Sequence, residues 1–283
     1  MSQELSKDPV FDGIGYEPSL YSRSMFVPAK TDYDFTVYNN PNTDKNKKIL
    51  VVCTEAQYLT MANGKKFSTG NHPVETMVPL LHLNAAGFEA DIYTPTGNPV
   101  HLEMWAMPNE DDAVKGIYAK YKPQFQSPKS LQSFVAHNMK SDCEYVAVFI
   151  PGGHGALIGL PFNEDLKKVI QWVKKEDKYM LAICHGPAAL LAGAIHEDPE
   201  NYPYKGYKMK SFPDVIDTQL PSIGYVPGDL PWYYGAKLKA LGVDILNNDI
   251  TGACITDRKL VSGDSPLAAN AFGKMSASVL LGE

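Results

Sequence analysis

The chain has 283 residues, of which 44% are hydrophobic, 11% aromatic and 20% charged, a composition that excludes a disordered protein. The net charge of −6, with no basic block beyond Lys45, Lys47 and Lys48, excludes a nucleic-acid footprint, so we expect small molecules or proteins as partners. The sequence shows no signal-peptide core and no apolar stretch of about 18 residues, which predicts a cytoplasmic protein that does not span a membrane.

Residues 1–45 form an N-terminal segment that differs in composition from the rest of the chain. The segment is polar and contains four prolines, but it also carries seven aromatic side chains. It is too aromatic for simple disorder, so we predict an irregular arm that wraps the core or a partner subunit.

The sequence pattern of residues 46–283 predicts one α/β core in which strands and helices alternate. Residues 95–143 interrupt this alternation and are long enough to form an inserted small subdomain. The predicted strands are 48–53, 88–94, 144–150, 179–183, 207–212, 243–246, 252–255 and 259–262, and the predicted helices are 73–86, 163–174, 185 onward, 231–241 and 266–281.

This alternation predicts a doubly wound, mainly parallel sheet with helices on both faces. In such sheets, ligands bind beyond the carboxyl ends of the strands. We therefore expect the functional groups of the chain to lie in the segments that follow the strands.

Cys184 is the strongest candidate nucleophile. It lies where the apolar strand 179–183 gives way to a helix headed by Pro187, and a helix N-terminus favours a thiolate over a thiol. The helix dipole alone shifts a pKa by less than about one unit, so a second group must activate the sulfur. Cys53, Cys143 and Cys254 have no dithiol or zinc spacing and are predicted to pack as small apolar residues.

His185 follows the candidate nucleophile directly, and an aspartate is expected to orient its ring. Asp214 and Asp217 both come after the predicted strand 207–212. The spacing favours Asp214 only slightly because it is nearer the strand end, so the choice between the two stays open.

The glycine-rich turn Pro151-Gly-Gly-His-Gly follows the strand 144–150. The backbone amides of Gly153 and His154 are candidate donors to a developing negative charge. The spacing differs from both common phosphate-binding motifs, so the turn indicates an oxyanion hole only in combination with Cys184.

Glu75 occupies the third position of the helix that begins near Pro73. A carboxylate there commonly stabilises the helix N-terminus. The helix also follows the first core strand, so Glu75 lies at the same strand ends as Cys184. A desolvated carboxyl group at that place has a raised pKa and is suited to shuttle a proton.

Taken together, these motifs resemble the ThiJ/PfpI superfamily, whose fold is flavodoxin-like. The segments that carry the resemblance are Phe149-Ile-Pro-Gly-Gly-His-Gly, Ala182-Ile-Cys-His-Gly-Pro and Glu75. Further segments indicate the branch of heat-inducible proteins described as glutathione-independent glyoxalases, protein deglycases and holding chaperones; these are Ser68-Thr-Gly-Asn-His-Pro-Val-Glu-Thr, Trp105-Ala-Met-Pro, Ile158-Gly-Leu-Pro, Ser211-Phe-Pro-Asp and Arg258-Lys-Leu-Val-Ser-Gly-Asp-Ser-Pro.

The resemblance implies a role for each candidate residue. Cys184 would be the nucleophile, with His185 and Asp214 as its triad partners, and Glu75 would be the proton shuttle. Gly153 and His154 would be the oxyanion donors. It also implies a homodimer, a small dicarbonyl substrate, glycated proteins as further substrates and unfolded proteins as chaperone clients, with no cofactor.

Some members of the family that this sequence resembles have a second metal site, and the sequence differs from them there. Members that hold this metal use two histidines and a glutamate, whereas the aligned positions here are Asn84, Glu89 and Tyr121. One carboxylate is far below the ligand count that a transition metal needs, so we predict no metal at this place.

Three functions from different classes remain open at this point. The first is a glyoxalase that converts methylglyoxal to lactate and shares its thiolate with a deglycase activity. The second is a chaperone that does not need Cys184. The third is a cysteine hydrolase or peptidase, which the adjacent His185 and the insertion disfavour.

Overall fold

Strands and helices alternate along most of the chain in the computed structural model, which describes residues 4–283. The strands are β1 (Val10–Phe11), β2 (Tyr16–Glu17), β3 (Lys48–Val52), β4 (Tyr58–Thr60), β5 (Lys66–Ser68), β6 (Glu89–Thr94), β7 (Lys129–Ser130), β8 (Tyr145–Ile150), β9 (Tyr179–Ile183), β10 (Lys208–Met209), β11 (Asp244–Ile245), β12 (Cys254–Asp257) and β13 (Leu260–Gly263). The helices are α1 (Leu20–Phe26), α2 (Pro73–Ala85), α3 (Asp112–Gln126), α4 (Leu131–His137), α5 (Glu164–Lys175), α6 (Asp214–Asp217), α7 (Tyr234–Ala240) and α8 (Ala269–Leu281). Short 3₁₀ helices cover Met104–Ala106, His154–Leu157, Leu160–Phe162, Gly186–Ala194, Pro199–Asn201, Leu220–Ile223 and Pro266–Ala268.

A seven-stranded sheet in the order β12-β13-β9-β8-β3-β6-β7 forms the centre of the fold. Every neighbouring pair is parallel except β12 and β13, which are antiparallel. The strands β6, β3, β8, β9 and β13 follow the flavodoxin-like order, which confirms the predicted fold class. The carboxyl ends of β3, β8 and β9 lie at the same end of the sheet, near the point where the strand order reverses.

Two helical layers cover the sheet because their apolar side chains recur with helical spacing. In α5 the buried residues Leu166, Val169, Ile170 and Val173 follow the i, i+3, i+4, i+7 pattern. This helix packs against the 3₁₀ helix Gly186–Ala194, while α2 packs against α8. The interior residues of β3, β8 and β9 are fully buried between these layers.

Residues 95–143, predicted as an inserted small subdomain, contact the central sheet. Its strand β7 pairs with β6 at the edge of the central sheet. Buried side chains of α3 and α4, including Tyr121, Phe125 and Phe134, belong to the same hydrophobic core as the rest of the chain. Apolar faces on both helices explain this arrangement, because they are buried only by packing on the sheet.

The N-terminal arm lies against the core. Its strands β1 and β2 join β5 and β4 in a small four-stranded sheet. Helix α1 is fixed by Ser22, whose hydroxyl donates to the Ile223 carbonyl at 2.7 Å. Further along, the Asn42 N–H donates to the Ala86 carbonyl at 2.8 Å. The described part of the arm thus contains two short strands and a helix, and these hydrogen bonds connect it to the core.

Two further elements differ from the sequence prediction. The segment after Cys184 is a 3₁₀ helix, because it is buried on all sides and contains Gly186 and Gly193, which are poor α-helix formers. The predicted strand 207–212 is reduced to β10, which pairs only with β11 in a separate two-stranded sheet. Within residues 4–283, none of the helices combines the length and the hydropathy needed to cross a bilayer.

Candidate active site

Cys184 occupies a sharp turn at the carboxyl end of β9. Its φ of 58° is in the left-handed region, which is unfavourable for a residue with a side chain. Hydrogen bonds on both sides hold this conformation: its N–H donates to the Gly263 carbonyl at 2.9 Å, and its carbonyl accepts from the Phe212 N–H at 2.9 Å and from the Tyr234 hydroxyl at 3.0 Å. The turn places the side chain, which is 3% exposed, on the wall of a cavity.

Glu75 lies beside Cys184 at the start of α2 and is fully buried. Neither of its carboxyl oxygens has a hydrogen-bond partner within residues 4–283, so it does not cap its own helix. Gly152 makes room for it, because a Cβ atom on that residue would lie 2.2 Å from Glu75 Oε2. Burial raises the pKa of Glu75 well above its usual value, and the approach of Cys184 offsets only part of this shift.

Cys184 and Glu75 form a coupled acid pair. Burial raises the pKa of the Cys184 thiol, and the negative charge of Glu75 raises it further. Two anions this close together repel each other, so ionisation of one group opposes ionisation of the other. A proton on either group is available for transfer to the other group or to a substrate.

His185 links the sulfur to Asp217. Its Nδ1 is 3.4 Å from Cys184 Sγ, and its Nε2 is 3.1 Å from each carboxyl oxygen of Asp217. Burial raises the pKa of Asp217, but the interactions with His185 and His154 lower it to about 2, so the group is a carboxylate. A carboxylate accepts a proton donor, which places the hydrogen of His185 on Nε2 and leaves the Nδ1 lone pair facing the sulfur.

The prediction that Asp214 orients His185 is therefore corrected. The carboxylate of Asp214 accepts from the N–H groups of Gly235 at 2.9 Å and Ala236 at 2.7 Å, at the start of α7. Asp214 and Asp217 begin and end the single turn of α6. The Asp214 carboxylate contacts the start of α7, whereas the Asp217 carboxylate contacts His185 and His154.

His154 also binds Asp217. Its Nε2 is 3.2 Å from Asp217 Oδ1, and its ring centroid is 4.1 Å from that of His185. Burial lowers the pKa of His154, an effect that His185 reinforces, so the ring is neutral at neutral pH. The two imidazoles thus share one carboxylate, which fixes the orientation of both.

The glycine-rich turn lies where the sequence predicts it. Gly153 adopts a φ of 92°, and a Cβ atom there would lie 2.5 Å from the Gly70 carbonyl oxygen. The N–H of His154 is not a free donor, because it donates to Glu103 Oε1 at 3.3 Å. Gly153 stays a candidate oxyanion donor. The prediction that His154 is an oxyanion donor is corrected, because its N–H already donates to a carboxylate.

The cavity has a volume of about 690 Å³, and its lining includes Glu75, Gly153, His154, Cys184 and His185. Apolar side chains from three parts of the chain form its outer walls: Met25 and Phe26 from α1, Ile216, Leu220 and Ile223 near α6, and Ile250 and Leu267 from the C-terminal region. Among the residues that the structure describes, no lysine or arginine lines it. Such a cavity favours uncharged ligands with an apolar part.

Glu103 and Tyr225 also line the cavity, and sequence reasoning missed both. Glu103 is 1% exposed, and Tyr225 packs between Phe67, Trp105 and His154. The only signal for Glu103 in the sequence is its position directly before Met104-Trp105-Ala106-Met107-Pro108. Nothing local marks Tyr225, because it reaches the cavity from a loop far along the chain.

One group of side chains in the described region has the closeness of a metal site, and it consists of His154, His185 and Asp217. Their hydrogen bonds to one another account for that closeness. The aligned second site holds different contacts: Asn84 Nδ2 donates to the Tyr121 hydroxyl at 2.9 Å, and the Lys120 ammonium pairs with Glu89 at 3.0 Å. An ammonium ion thus neutralises the one carboxylate there.

Comparisons with known proteins agree with this fold and chemistry. A protein/nucleic acid deglycase HchA of Pseudomonas aeruginosa (strain UCBPP-PA14) is 51% identical over 265 residues, which cover 93% of this chain and 91% of the relative. The protein/nucleic acid deglycase 1 of Escherichia coli (strain K12) is 46% identical over 284 residues, which cover 99% of this chain and 98% of the relative.

A crystal structure of glyoxalase III from Candida albicans superimposes with a TM-score of 0.64 at 22% identity, over 82% of this chain and 98% of that chain, and so shares the fold. The profile of the DJ-1/PfpI family matches residues 66–199, a range that contains Glu75, Gly153 and Cys184. With relatives that are about half identical over nearly the whole chain, this protein belongs to the DJ-1/PfpI family.

Proposed function

We propose that this protein is a cysteine-dependent deglycase that also converts methylglyoxal to lactate without glutathione. The observation that carries the proposal is the pair formed by Cys184 and Glu75, two buried acidic groups that line one cavity and meet beside Gly152. The relatives named as deglycases support the same chemical class. No lysine or arginine of the described part of the chain lines the cavity, which suits neutral dicarbonyl compounds.

The first step is addition of the Cys184 sulfur to the aldehyde carbon. The thiol proton passes to Glu75 or to Nδ1 of His185, and the aldehyde oxygen becomes the hydroxyl of a hemithioacetal. Asp217 holds the His185 ring in the tautomer that accepts this proton. The N–H of Gly153 is the proposed donor to the oxygen as negative charge develops on it.

The second step moves a proton between the two substrate carbons. Glu75 removes the proton from the carbon bonded to sulfur and returns it to the neighbouring carbonyl carbon, through an enediol. The hydroxyl proton of the first carbon moves to the oxygen of the second carbon in the same isomerisation. The first carbon is oxidised to a thioester while the second is reduced to an alcohol, so no external electron acceptor is needed. Water then hydrolyses the thioester, which releases lactate and restores the thiol.

Deglycation uses the same nucleophile. In an early adduct, an amine is bonded to the former aldehyde carbon, which also carries a hydroxyl group. Attack by Cys184 on that carbon expels the amine and gives the same hemithioacetal. We extend the proposal to adducts on nucleic-acid bases because the relatives are named protein/nucleic acid deglycases; the net charge of −6 favours single nucleotides over long polyanions.

The test is turnover of methylglyoxal to lactate in the absence of glutathione. We expect Cys184→Ala to abolish turnover and Glu75→Gln to lower kcat at least about 100-fold, because a glutamine cannot carry the proton. Alkylation of Cys184 by iodoacetamide in the Glu75→Gln variant checks that the nucleophile is still formed. Full activity in either variant would refute the scheme.

The exposed apolar residues of the arm favour a second role. Phe11, Ile14, Met25 and Phe35 are between 60% and 72% exposed. We propose that this surface forms a homodimer contact and binds unfolded proteins when the arm loosens on warming. Cys184→Ala should then still suppress aggregation of a client protein, whereas a variant that lacks the arm should not. The cytoplasm is the proposed location, because the chemistry needs Cys184 as a free thiol.

A further inference from the structure

Glu103 is a second buried carboxyl group in the cavity that the proposed mechanism does not use. Its backbone N–H donates to the Asn71 carbonyl at 3.0 Å, just before the 3₁₀ helix Met104–Ala106. Oε1 accepts from the Thr69 hydroxyl at 2.7 Å and from the His154 N–H at 3.3 Å. Oε2 is buried and has no hydrogen-bond partner within residues 4–283.

The two carboxyl oxygens of Glu103 therefore differ in the number of hydrogen bonds that they accept. Oε1 already accepts two hydrogen bonds, so a proton taken up by this carboxyl group binds to Oε2. Burial raises the pKa of Glu103, and the partly opposing effects of His154 and Thr69 do not reverse this shift. Within residues 4–283, no lysine or arginine lines the cavity to stabilise a free carboxylate oxygen. A buried O–H group without an acceptor is costly unless a ligand supplies one.

Glu103 and the reacting pair lie around the same tyrosine. Burial raises the pKa of Tyr225 well above its usual value, and the charges of Glu103, Cys184 and Glu75 all add to that shift. One phenol ring is thus within electrostatic reach of both carboxyl groups and of the sulfur. A small dicarbonyl bonded to Cys184 has its second carbonyl oxygen only three bonds from the sulfur, inside this shared space.

We propose that Glu103 is a further catalytic residue, whose Oε2–H donates a hydrogen bond to the substrate carbonyl oxygen next to the carbon attacked by Cys184. This inference rests on the proposed function for the identity of the substrate. The hydrogen bond polarises the second carbonyl and stabilises the enediol oxygen while Glu75 moves the carbon-bound proton. Glu103 itself keeps its proton throughout, so the overall stoichiometry does not change.

Labelling of Cys184 tests the inference without turnover. Iodoacetamide carries a carbonyl group on the carbon that the sulfur attacks, as a dicarbonyl does, whereas iodomethane has none. We expect Glu103→Met to slow alkylation by iodoacetamide about tenfold, the effect of one lost hydrogen bond, and to leave alkylation by iodomethane unchanged. Glu103→Gln, which keeps an acceptor and an N–H donor, should restore most of the iodoacetamide rate.

Thr69→Val is the matched control, because it removes the hydrogen bond to Oε1 and leaves Oε2 in place. It should not change the ratio of the two labelling rates. Equal slowing of both reagents in Glu103→Met, or an unchanged iodoacetamide rate in that variant, would overturn the inference. Failure of the wild-type protein to turn over methylglyoxal would instead refute the proposed function, since labelling does not depend on it.

Discussion

At the scale of single residues, three side chains define the candidate active site. Cys184 is held in a left-handed turn, Glu75 is fully buried beside it, and Asp217 accepts hydrogen bonds from two imidazoles. The nucleophile could be predicted because an apolar strand and a proline-headed helix flank it. The choice between Asp214 and Asp217 could not, because it depends on which carboxylate lies next to His185 once distant segments of the chain have packed together.

The two aspartates of α6 provide a matched pair of substitutions. We expect Asp217→Asn to lower kcat at least about 100-fold, because an amide donor at this place favours the wrong His185 tautomer. Asp214→Ala should keep its activity and lose about 1 kcal/mol of stability, since it removes only the hydrogen bonds at the start of α7. Steady-state kinetics and urea unfolding measure the two effects. Inactivity of the folded Asp214→Ala variant would contradict this assignment.

Gly152 sets the space available to the acid pair. A Cβ atom there would lie 2.2 Å from Glu75 Oε2, 2.6 Å from the Ile183 carbonyl oxygen and 2.8 Å from Cys184 Cβ. We expect Gly152→Ala to destabilise the protein by about 1–3 kcal/mol through overpacking and to abolish activity. The control is Gly116→Ala on the exposed face of α3, where no atom lies within 4 Å of the new Cβ. That variant should gain about 0.5–1 kcal/mol in thermal or urea unfolding.

At the scale of elements, the arm helix α1 contributes directly to the candidate site. Met25 and Phe26 line the cavity, and the hydroxyls of Ser19 and Ser22 bind the Ile223 carbonyl at 3.1 and 2.7 Å. The sequence predicts that the arm is structured, because it is rich in aromatic residues. It does not predict the contact with residue 223, since such long-range pairing depends on the folded sheet. The sequence likewise does not predict that β7, which lies in the predicted insertion, joins the central sheet, because that pairing also depends on the folded sheet.

Loosening α1 should open the cavity. We expect the double substitution Ser19→Ala and Ser22→Ala to raise the rate at which a bulky maleimide labels Cys184 by about three- to tenfold, because two hydrogen bonds to the core are lost. Labelling by iodomethane should change much less. Ser24→Ala is the control, since its hydroxyl bonds only to the Tyr21 carbonyl within α1. Equal rates in the double variant and the wild type would show that α1 does not restrict access.

At the scale of the whole molecule, burial of neutral histidines links stability to pH. Burial lowers the pKa of His72 to about 3 from an ordinary value of 6.5, and it lowers the pKa of His154 in the same direction. The unfolded chain therefore binds protons that the folded chain does not bind between about pH 6.5 and 3. Stability is complete above this window and falls as the pH decreases through it.

Replacing His72 should reduce this dependence on pH. We expect the unfolding free energy of His72→Gln to fall less steeply than that of the wild type near pH 5, by up to about 1.4 kcal/mol per pH unit. The measurement is urea unfolding at pH 7.5, 6 and 5, with the difference at pH 7.5 as the reference. An identical slope in both proteins would show that His72 is protonated in the folded state.

The positions of the candidate groups along the chain have a consequence for how the molecule is made. Glu75, Cys184, Asp217 and the cavity residue Leu267 are spread over residues 75–267 of the sequence. A chain that is leaving the ribosome therefore acquires its reactive centre only after residue 267 has been synthesised. A shorter translation product that already contains Cys184 lacks part of the site around it.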